Sequence, residues 1–183
     1  GEESFGTSSD HVREKDGLWA VLCWLNILAY TGKSVYEVVA DHWAAYGRDY
    51  YTRQDFEGLS KETGERIVAA LRDKVAGLAG TRTAAGPVVE AADEFAYTDP
   101  IDGSVSEHQG IRVWFTDGAR AVFRLSGTGT SGATLRVYLE TWEGDSRWHQ
   151  QDTQEVLAEV ASAARELAEL ERLAGVSEPT LVV

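Results

Sequence analysis

The chain has 183 residues, of which 43% are hydrophobic and 26% are charged, and it carries a formal net charge of −13 at pH 7. This length is enough for one domain with a sizeable core, or for one domain and part of another. The excess of acidic residues argues against a nucleic-acid partner, because binding a phosphate backbone requires clustered cations. Any anion site in this chain must therefore be local.

Cysteine content and apolar stretches bear on the cellular compartment. Cys23 is the single cysteine, so no disulfide can form within the chain and a reducing, cytoplasmic location is expected. The longest apolar stretch, 18–30, is shorter than the roughly 20 residues that span a bilayer, and we expect no membrane partner. The sequence contains no methionine, and we expect it to be a fragment of a longer protein.

The N-terminal quarter of the chain has helical periodicity. The first predicted helix begins after Asp16 and ends at Gly32, and its apolar residues cover most of its circumference. Such a helix is expected to be buried by its neighbours. Ser34 and Glu37 form a capping box for a second, amphipathic helix that ends at Gly47. This segment is typical of the helical tail of a separate domain.

The periodicity changes along the rest of the chain. Residues 50–56 are aromatic and irregular, and we interpret them as a domain boundary, after which a helix is predicted over about 60–75. Beyond Pro87 the alternation of apolar and polar residues predicts strands at 88–95, 111–115, 119–125 and 133–142.

The predicted strands form an antiparallel meander. Asp117-Gly118 is a tight-turn signal between the middle two strands, and a last helix is predicted over about 153–174, before Gly175. Residues 50–183 are therefore predicted to form an α+β layer pair, with one antiparallel sheet flanked by helices.

The stretch RLSGTGTSGATLR, residues 124–136, is rich in glycine and hydroxyl side chains. Its glycine spacing matches the dinucleotide fingerprint, but that site requires a helix directly after the third glycine. Residues 133–140 alternate as a strand instead, and the lysine of a phosphate-binding P-loop is missing. Both nucleotide-binding interpretations therefore fail.

A different anion site remains compatible with this loop. Its glycines allow positive φ and a nest of backbone N–H groups, and its hydroxyl side chains add donors. Arg124 and Arg136 stand at its mouth and can donate forked hydrogen bonds. The pattern predicts a phosphate-binding loop. A flexible hairpin whose arginines pair with surface carboxylates would contain the same residues.

The opening stretch, GEESFGTSSDHVREKDG, concentrates polar and charged residues ahead of the first helix. Carboxylates and hydroxyls suit the hydroxyl groups of a sugar, and a lysine suits a phosphate. The alternative interpretation is a solvated segment that leads into the helix.

Together, these two stretches resemble the C-terminal portion of the phosphoglucomutases, in the α-D-phosphohexomutase superfamily. The resemblance includes YYTR at 50–53, DPIDGSVS at 99–106 and the final PTLVV. It implies that residues 1–49 are the C-terminal part of sugar-binding domain 3, an α/β domain, and that residues 50–183 are phosphate-binding domain 4. The implied fold of domain 4 is an antiparallel sheet flanked by helices.

The resemblance also implies an activity for the full-length protein. Such isomerases interconvert glucose 1-phosphate and glucose 6-phosphate through glucose 1,6-bisphosphate, with a phosphoserine and a bound Mg²⁺. A related phosphohexomutase, a glucose 1,6-bisphosphate synthase and a non-catalytic structural paralogue are the alternatives. The expected partners are a sugar phosphate and the N-terminal domains of the same enzyme.

The family's binding residues carry over to two groups of positions. The residues expected to bind the sugar are Glu2, Ser4 and Lys15. The residues expected to bind phosphate are Arg124, Ser126, Gly127, Thr128, Gly129, Thr130 and Arg136. The phosphoserine and the metal ligands belong to earlier domains, so this chain is expected to contain no catalytic or metal-binding residue and to be inactive alone.

Overall fold

The structure is a computed structural model that describes residues 6–10, 12–127 and 132–183, without the side chains of Val12 and Arg13. The chain divides into two compact units. The first comprises Gly1–Arg48 with Glu143–His149, and the second comprises Asp49–Trp142 with Gln150–Val183.

The first unit contains a short antiparallel hairpin followed by helices. The elements are β1 (Thr7–Ser9), β2 (Val12–Asp16), α1 (Gly17–Thr31) and α2 (Val35–Tyr46). Asp16 caps α1 by accepting hydrogen bonds from the next turn, and Gly32 ends it in the left-handed conformation. Ser34 and Glu37 form the capping box of α2. These helix limits confirm the sequence prediction.

No residue of α1 or α2 is buried among the described residues. Leu18 is 78% exposed, and Val21 and Leu25 are each 56% exposed. The expectation that α1 is buried by neighbouring elements is therefore wrong for this chain, because its apolar surface stays in contact with solvent.

No single helix in the described ranges is long and apolar enough to cross a membrane. Only α1 and α2 taken together reach the required length and composition, and their axes are bent by 85° at the break between them.

The second unit is built on one large sheet, with six strands within the described residues. They are β3 (Arg48–Leu59), β4 (Val89–Thr98), β5 (Val105–Phe115), β6 (Arg120–Ser126), β7 (Ala133–Glu143) and β8 (Leu181–Val182), in the order β4-β5-β6-β7-β3-β8. The strands from β4 to β7 pair antiparallel in sequence order, and β8 pairs antiparallel with β3. The predicted meander and α+β class are thereby confirmed.

Strand β3 corrects one interpretation of the sequence. Residues 50–56 are not irregular but form a strand within the sheet, with Tyr50 and Phe56 each only 1% exposed. Tyr50, Thr52, Gln54 and Phe56 alternate with Tyr51 and Arg53, so the segment has the period of two that defines a strand.

The helices of the second unit cover one face of the sheet. They are α3 (Lys61–Lys74), α4 (Thr153–Val156), α5 (Ala158–Leu167) and α6 (Leu170–Ala174). The single helix predicted over 153–174 is therefore divided into three. One break is at Glu169, a non-glycine residue with φ +50°, whose carboxylate pairs with Lys74 and Arg172.

The core lies between these helices and the sheet. Ile67 and Leu71 of α3 and Ala163 and Ala164 of α5 are buried together with alternate residues of β5, β6 and β7. Since successive side chains of a strand point to opposite faces, the remaining residues of β6 and β7 lie on the other face. We call this the open face of the sheet.

Candidate functional site

Arg124 and Arg136 are direct cross-strand neighbours on β6 and β7. The next pair toward the loop, Leu125 and Leu135, turns toward the helices, because Leu135 is fully buried and Leu125 packs against the core. The arginines therefore share the open face. Like charges directly opposite each other in a sheet are destabilising unless an anion lies between them.

The loop between β6 and β7 is closed at both ends by glycines with left-handed backbone conformations. Gly127 has φ +71° and Gly132 has φ +107°. A Cβ on Gly132 would lie 3.0 Å from the carbonyl oxygen of Leu59, so a larger residue would disturb the start of β7. Ser126, opposite Thr134, is the last residue of β6 before the loop.

A buried carboxylate lies beside Arg136. Asp55 on β3 is 2% exposed and accepts two hydrogen bonds from Arg53, at 2.8 Å from Nε and 3.0 Å from Nη2. The Nε atom of Arg136 is 3.9 Å from Oδ2 of Asp55. This Nε is buried, and no described residue is its hydrogen-bond partner.

The four residues Arg53, Asp55, Arg124 and Arg136 together carry a net positive charge, although the chain as a whole is acidic. Arg53, Arg124 and Arg136 contribute three guanidinium groups, and Asp55 contributes one carboxylate. Within the ranges that the structure covers, Arg124 has no ion-pair partner. The carboxylate beside Arg136, that of Asp55, is buried rather than at the surface.

A groove of about 360 Å³ adjoins Arg124 on the open face. Phe95 and Tyr138 line it together with Gly110 and Val122. Gly110 lies close under the arginine, because a Cβ at this position would be 3.0 Å from Cγ of Arg124. The stem of Arg124 therefore rests on the backbone of β5.

A second cluster of charges links α3, β4 and β5. Glu94 accepts hydrogen bonds from Nε of Arg72, at 2.8 and 2.9 Å, and lies 2.9 Å from Nδ1 of His108. The hydrogen bond from Arg72 is the main cause that lowers the pKa of Glu94, and His108 adds to it against the opposing effect of burial. His108 has φ +56°. This cluster holds the irregular end of β5 to α3.

The structure locates only some of the residues expected to bind substrate. Arg124, Ser126, Gly127 and Arg136 lie together at one end of the sheet in the second unit. Lys15 is exposed on β2 of the first unit. The other expected residues, Glu2, Ser4, Thr128, Gly129 and Thr130, lie outside the described residues.

Sequence reasoning missed Asp55. The sequence feature that could have indicated Asp55 is the alternation along β3, which places Arg53 and Asp55 on the same face of a strand. Its closeness to Arg136 depends on the pairing of β7 with β3, two strands that are far apart in the sequence.

No group of three or more histidine, cysteine, aspartate or glutamate side chains in the described part of the chain could hold a metal ion. The described residues therefore do not supply a set of ligands for Mg²⁺.

Comparison with protein families identifies the family to which both parts of the chain are similar. Residues 1–46 match the model of the α/β/α domain III that phosphoglucomutases and phosphomannomutases share. Residues 48–180 match the model of the C-terminal domain of phosphoglucomutase-1. The chain belongs to the phosphoglucomutase family, as the motifs at both of its ends indicate.

Individual relatives agree with this assignment. All of this chain aligns with a phosphoglucomutase from Rhizobium radiobacter at 53% identity, and with a cytoplasmic phosphoglucomutase from Mesembryanthemum crystallinum at 48% identity. The open-form crystal structure of the exocytosis-sensitive phosphoprotein pp63/parafusin, a phosphoglucomutase from Paramecium, matches 99% of the chain with a TM-score of 0.84 and 40% identity.

The chain spans about a third of the length of these relatives. The matched shares are 33% and 34% of the two enzymes and 32% of the Paramecium protein.

Proposed function

We propose that this chain is the substrate-binding portion of a phosphoglucomutase that interconverts glucose 1-phosphate and glucose 6-phosphate through glucose 1,6-bisphosphate. In this proposal, the loop between β6 and β7 binds the phosphate group that is not being transferred. The observation that carries it is the opposed pair Arg124 and Arg136 at the mouth of a glycine loop, in a chain of net charge −13.

The physical argument starts from the charges. Two guanidinium groups on one face of adjacent strands repel each other in the absence of a ligand, whereas a phosphate dianion attracts both. Hydrogen bonds to charged groups contribute roughly 1.5–3 kcal/mol each. A bound phosphate therefore converts a repulsive arrangement into a favourable one. In this proposal Ser126 and Gly127, at the start of the loop, add a hydroxyl and a backbone donor.

The sugar-binding part of the proposal concerns the first unit. Glu2 and Ser4 would bind sugar hydroxyls, and Lys15 would contact the substrate. The phosphoserine and the ligands of Mg²⁺ would lie in the rest of the full-length enzyme, which the relatives possess and this chain does not span. We also propose a cytoplasmic location, since several relatives bear that word in their names.

The first prediction tests the phosphate site in the full-length enzyme. Arg124→Ala removes one guanidinium, so kcat/KM for glucose 1-phosphate should fall roughly 10- to 100-fold, the equivalent of one charge-assisted hydrogen bond. Binding energy far from the reacting atoms also helps to align them, so kcat should fall together with a rise in KM. Steady-state kinetics at substrate concentrations below KM provide the measurement.

Arg120→Ala is the matched control. Arg120 lies on the same strand and face as Arg124, but it pairs with Glu140 at 2.8 Å. The control variant should keep nearly the activity of the unmodified enzyme. Equal kcat/KM in the Arg124→Ala variant and the unmodified enzyme would refute the proposed phosphate site. A full-length enzyme inactive before mutation would favour the structural paralogue.

A further inference from the structure

Asp55 is fixed in the sheet by its backbone as well as by its carboxylate. Its carbonyl oxygen accepts hydrogen bonds from the backbone N–H and from Oγ1 of Thr180, both at 2.8 Å. Asp55 is also paired in register with Leu181 of β8. The main chain that carries the carboxylate is therefore firmly held.

Asp55 faces two arginines with different geometry. Arg53 binds it with two short hydrogen bonds, which satisfies the carboxylate and lets it remain buried. The Nε atom of Arg136 stays 3.9 Å away, too far for a hydrogen bond but close enough for attraction between the charges. Arg53 is therefore the structural partner, and Arg136 is held beside the pair without its Nε being used in a hydrogen bond.

We propose that Asp55 is a positioning residue, which holds the Arg136 guanidinium in place beside Arg124 for binding of a phosphate group. The inference rests on the proposed function, because it assumes that Arg124 and Arg136 bind phosphate there. Asp55 itself does not contact the ligand. It opposes the repulsion between Arg136 and Arg124 and thereby keeps the two guanidinium groups in a geometry that suits one tetrahedral anion.

Three roles of Asp55 lead to different effects on phosphate affinity. A carboxylate that only adds negative charge repels phosphate, so its removal would strengthen binding. A carboxylate that only stabilises the fold would alter the melting temperature and leave the dissociation constant unchanged. If the carboxylate positions Arg136, phosphate binding must weaken when the carboxylate is neutralised. Binding must also weaken when the carboxylate is displaced and its charge is retained.

The second prediction uses inorganic phosphate as the probe and the full 183-residue chain. The amide signals of Ser126 and Gly127 are followed by NMR during a phosphate titration, and thermal unfolding is recorded in parallel. Asp55→Asn removes the charge, and Asp55→Glu keeps the charge but moves the carboxylate by one C–C bond length. Both variants should raise the dissociation constant about tenfold, a typical loss for an orienting partner.

If Asp55→Asn does not fold, Asp55→Glu still tests the positioning role, because the glutamate retains an anion for Arg53. An unchanged or lower dissociation constant in a folded Asp55 variant overturns the positioning role. Arg124→Ala in the same titration separates the two proposals. If Arg124→Ala weakens phosphate binding and the Asp55 variants do not, the phosphate site stands and only this inference fails. If Arg124→Ala also leaves binding unchanged, the phosphate site fails with it.

Discussion

Arg124 depends on the residue beneath its side chain as well as on the charges around it. Gly110 on β5 has no side chain, and the aliphatic stem of Arg124 occupies the space that a Cβ would need. A Cβ there would lie 3.0 Å from Cγ of Arg124 and 3.1 Å from the carbonyl oxygen of Phe123. The position of Arg124, one of the proposed phosphate-binding residues, therefore depends on a neighbour that has no side chain.

The third prediction follows from this contact. Gly110→Ala should displace the stem of Arg124 and weaken phosphate binding severalfold, with a loss of about 1–3 kcal/mol in the free energy of unfolding, as for other overpacked sites. Phosphate titration and thermal unfolding of the chain measure the two effects. Gly77→Ala is the control, because no atom lies within 4 Å of the added Cβ and its φ is not positive. Equal phosphate affinity in both variants would contradict the prediction.

The roles of individual residues could be predicted from the sequence to different extents. Arg124 and Arg136 were predicted to stand at the mouth of the loop, because period-two alternation and a short loop are local features. Asp55 could not be connected with Arg136, since their proximity requires that β3 pair with β7 across a large sequence separation. The predicted phosphate-binding role of the loop remains a prediction.

At the scale of secondary-structure elements, α3 is tied to the end of β5 by the charges around Glu94. Arg72 comes from α3, Glu94 from β4 and His108 from β5. Arg72 and His108 both favour the ionised carboxylate, and the pKa of Glu94 is below its usual value as a result. The interaction therefore makes the stability of the unit depend on pH.

The fourth prediction gives the direction of this dependence. In the unfolded chain the pKa of Glu94 should be the ordinary value of a glutamate. Because its pKa is lower in the folded state, its stabilising contribution is complete above that value and is lost as the pH falls through the folded-state pKa. Glu94→Gln should lower the free energy of unfolding by about 1 kcal/mol at pH 7, and the difference from the unmodified chain should shrink in acid. Thermal unfolding across this pH range tests it.

Glu65→Gln provides the control for this experiment. Glu65 lies on α3, as Arg72 does, but its carboxylate is 56% exposed and its partner Lys61 is 3.7 Å away. Its replacement should change the free energy of unfolding by only a few tenths of a kcal/mol at pH 7. A Glu94→Gln effect of the same size at pH 7 and in strong acid would show that the ion pair is not its cause.

The elements themselves were largely predictable where their signals are local. Asp16, Ser34 and Gly32 marked the limits of α1 and α2, and Asp117-Gly118 marked the turn between β5 and β6. The segment after Thr153 was predicted as one helix because its apolar stripe is continuous, whereas Glu169 breaks it at a left-handed residue that ion pairs from other positions hold in place. The helical periodicity of the apolar residues does not indicate such a break.

At the scale of the whole molecule, the two units differ in how much of their apolar surface is buried. All the buried hydrophobic residues in the described ranges belong to the second unit. Helix α1 of the first unit presents an exposed apolar surface, a feature that usually marks an interface. The first unit matches an α/β/α domain of which the chain supplies helices and a small hairpin. We expect the full-length protein to provide the layers that cover α1.

The fifth prediction concerns limited proteolysis by trypsin. Helices without a packed apolar face are marginal in water, so the first unit should open more often than the second. Lys33 lies in the exposed connection between α1 and α2 and should be cleaved early, whereas Arg53 and Arg112 lie in paired strands of the sheet and should be protected. Mass spectrometry should identify a resistant product that contains residues 49–183.

The N-terminal boundary of the resistant product tests whether residues 50–56 form a strand, as in the structure, or an irregular connection, as the sequence was interpreted. If 50–56 were an irregular connection, trypsin would cut early after Arg53 and separate Tyr50 from the core. In the structure Tyr50 and Phe56 are buried and β3 lies between β7 and β8, so this cut would require unfolding of the sheet. A chain shortened to begin at Asp49 should therefore unfold cooperatively, whereas one that begins at Ser60 should lose its stable fold. Early cleavage after Arg53 would contradict both expectations.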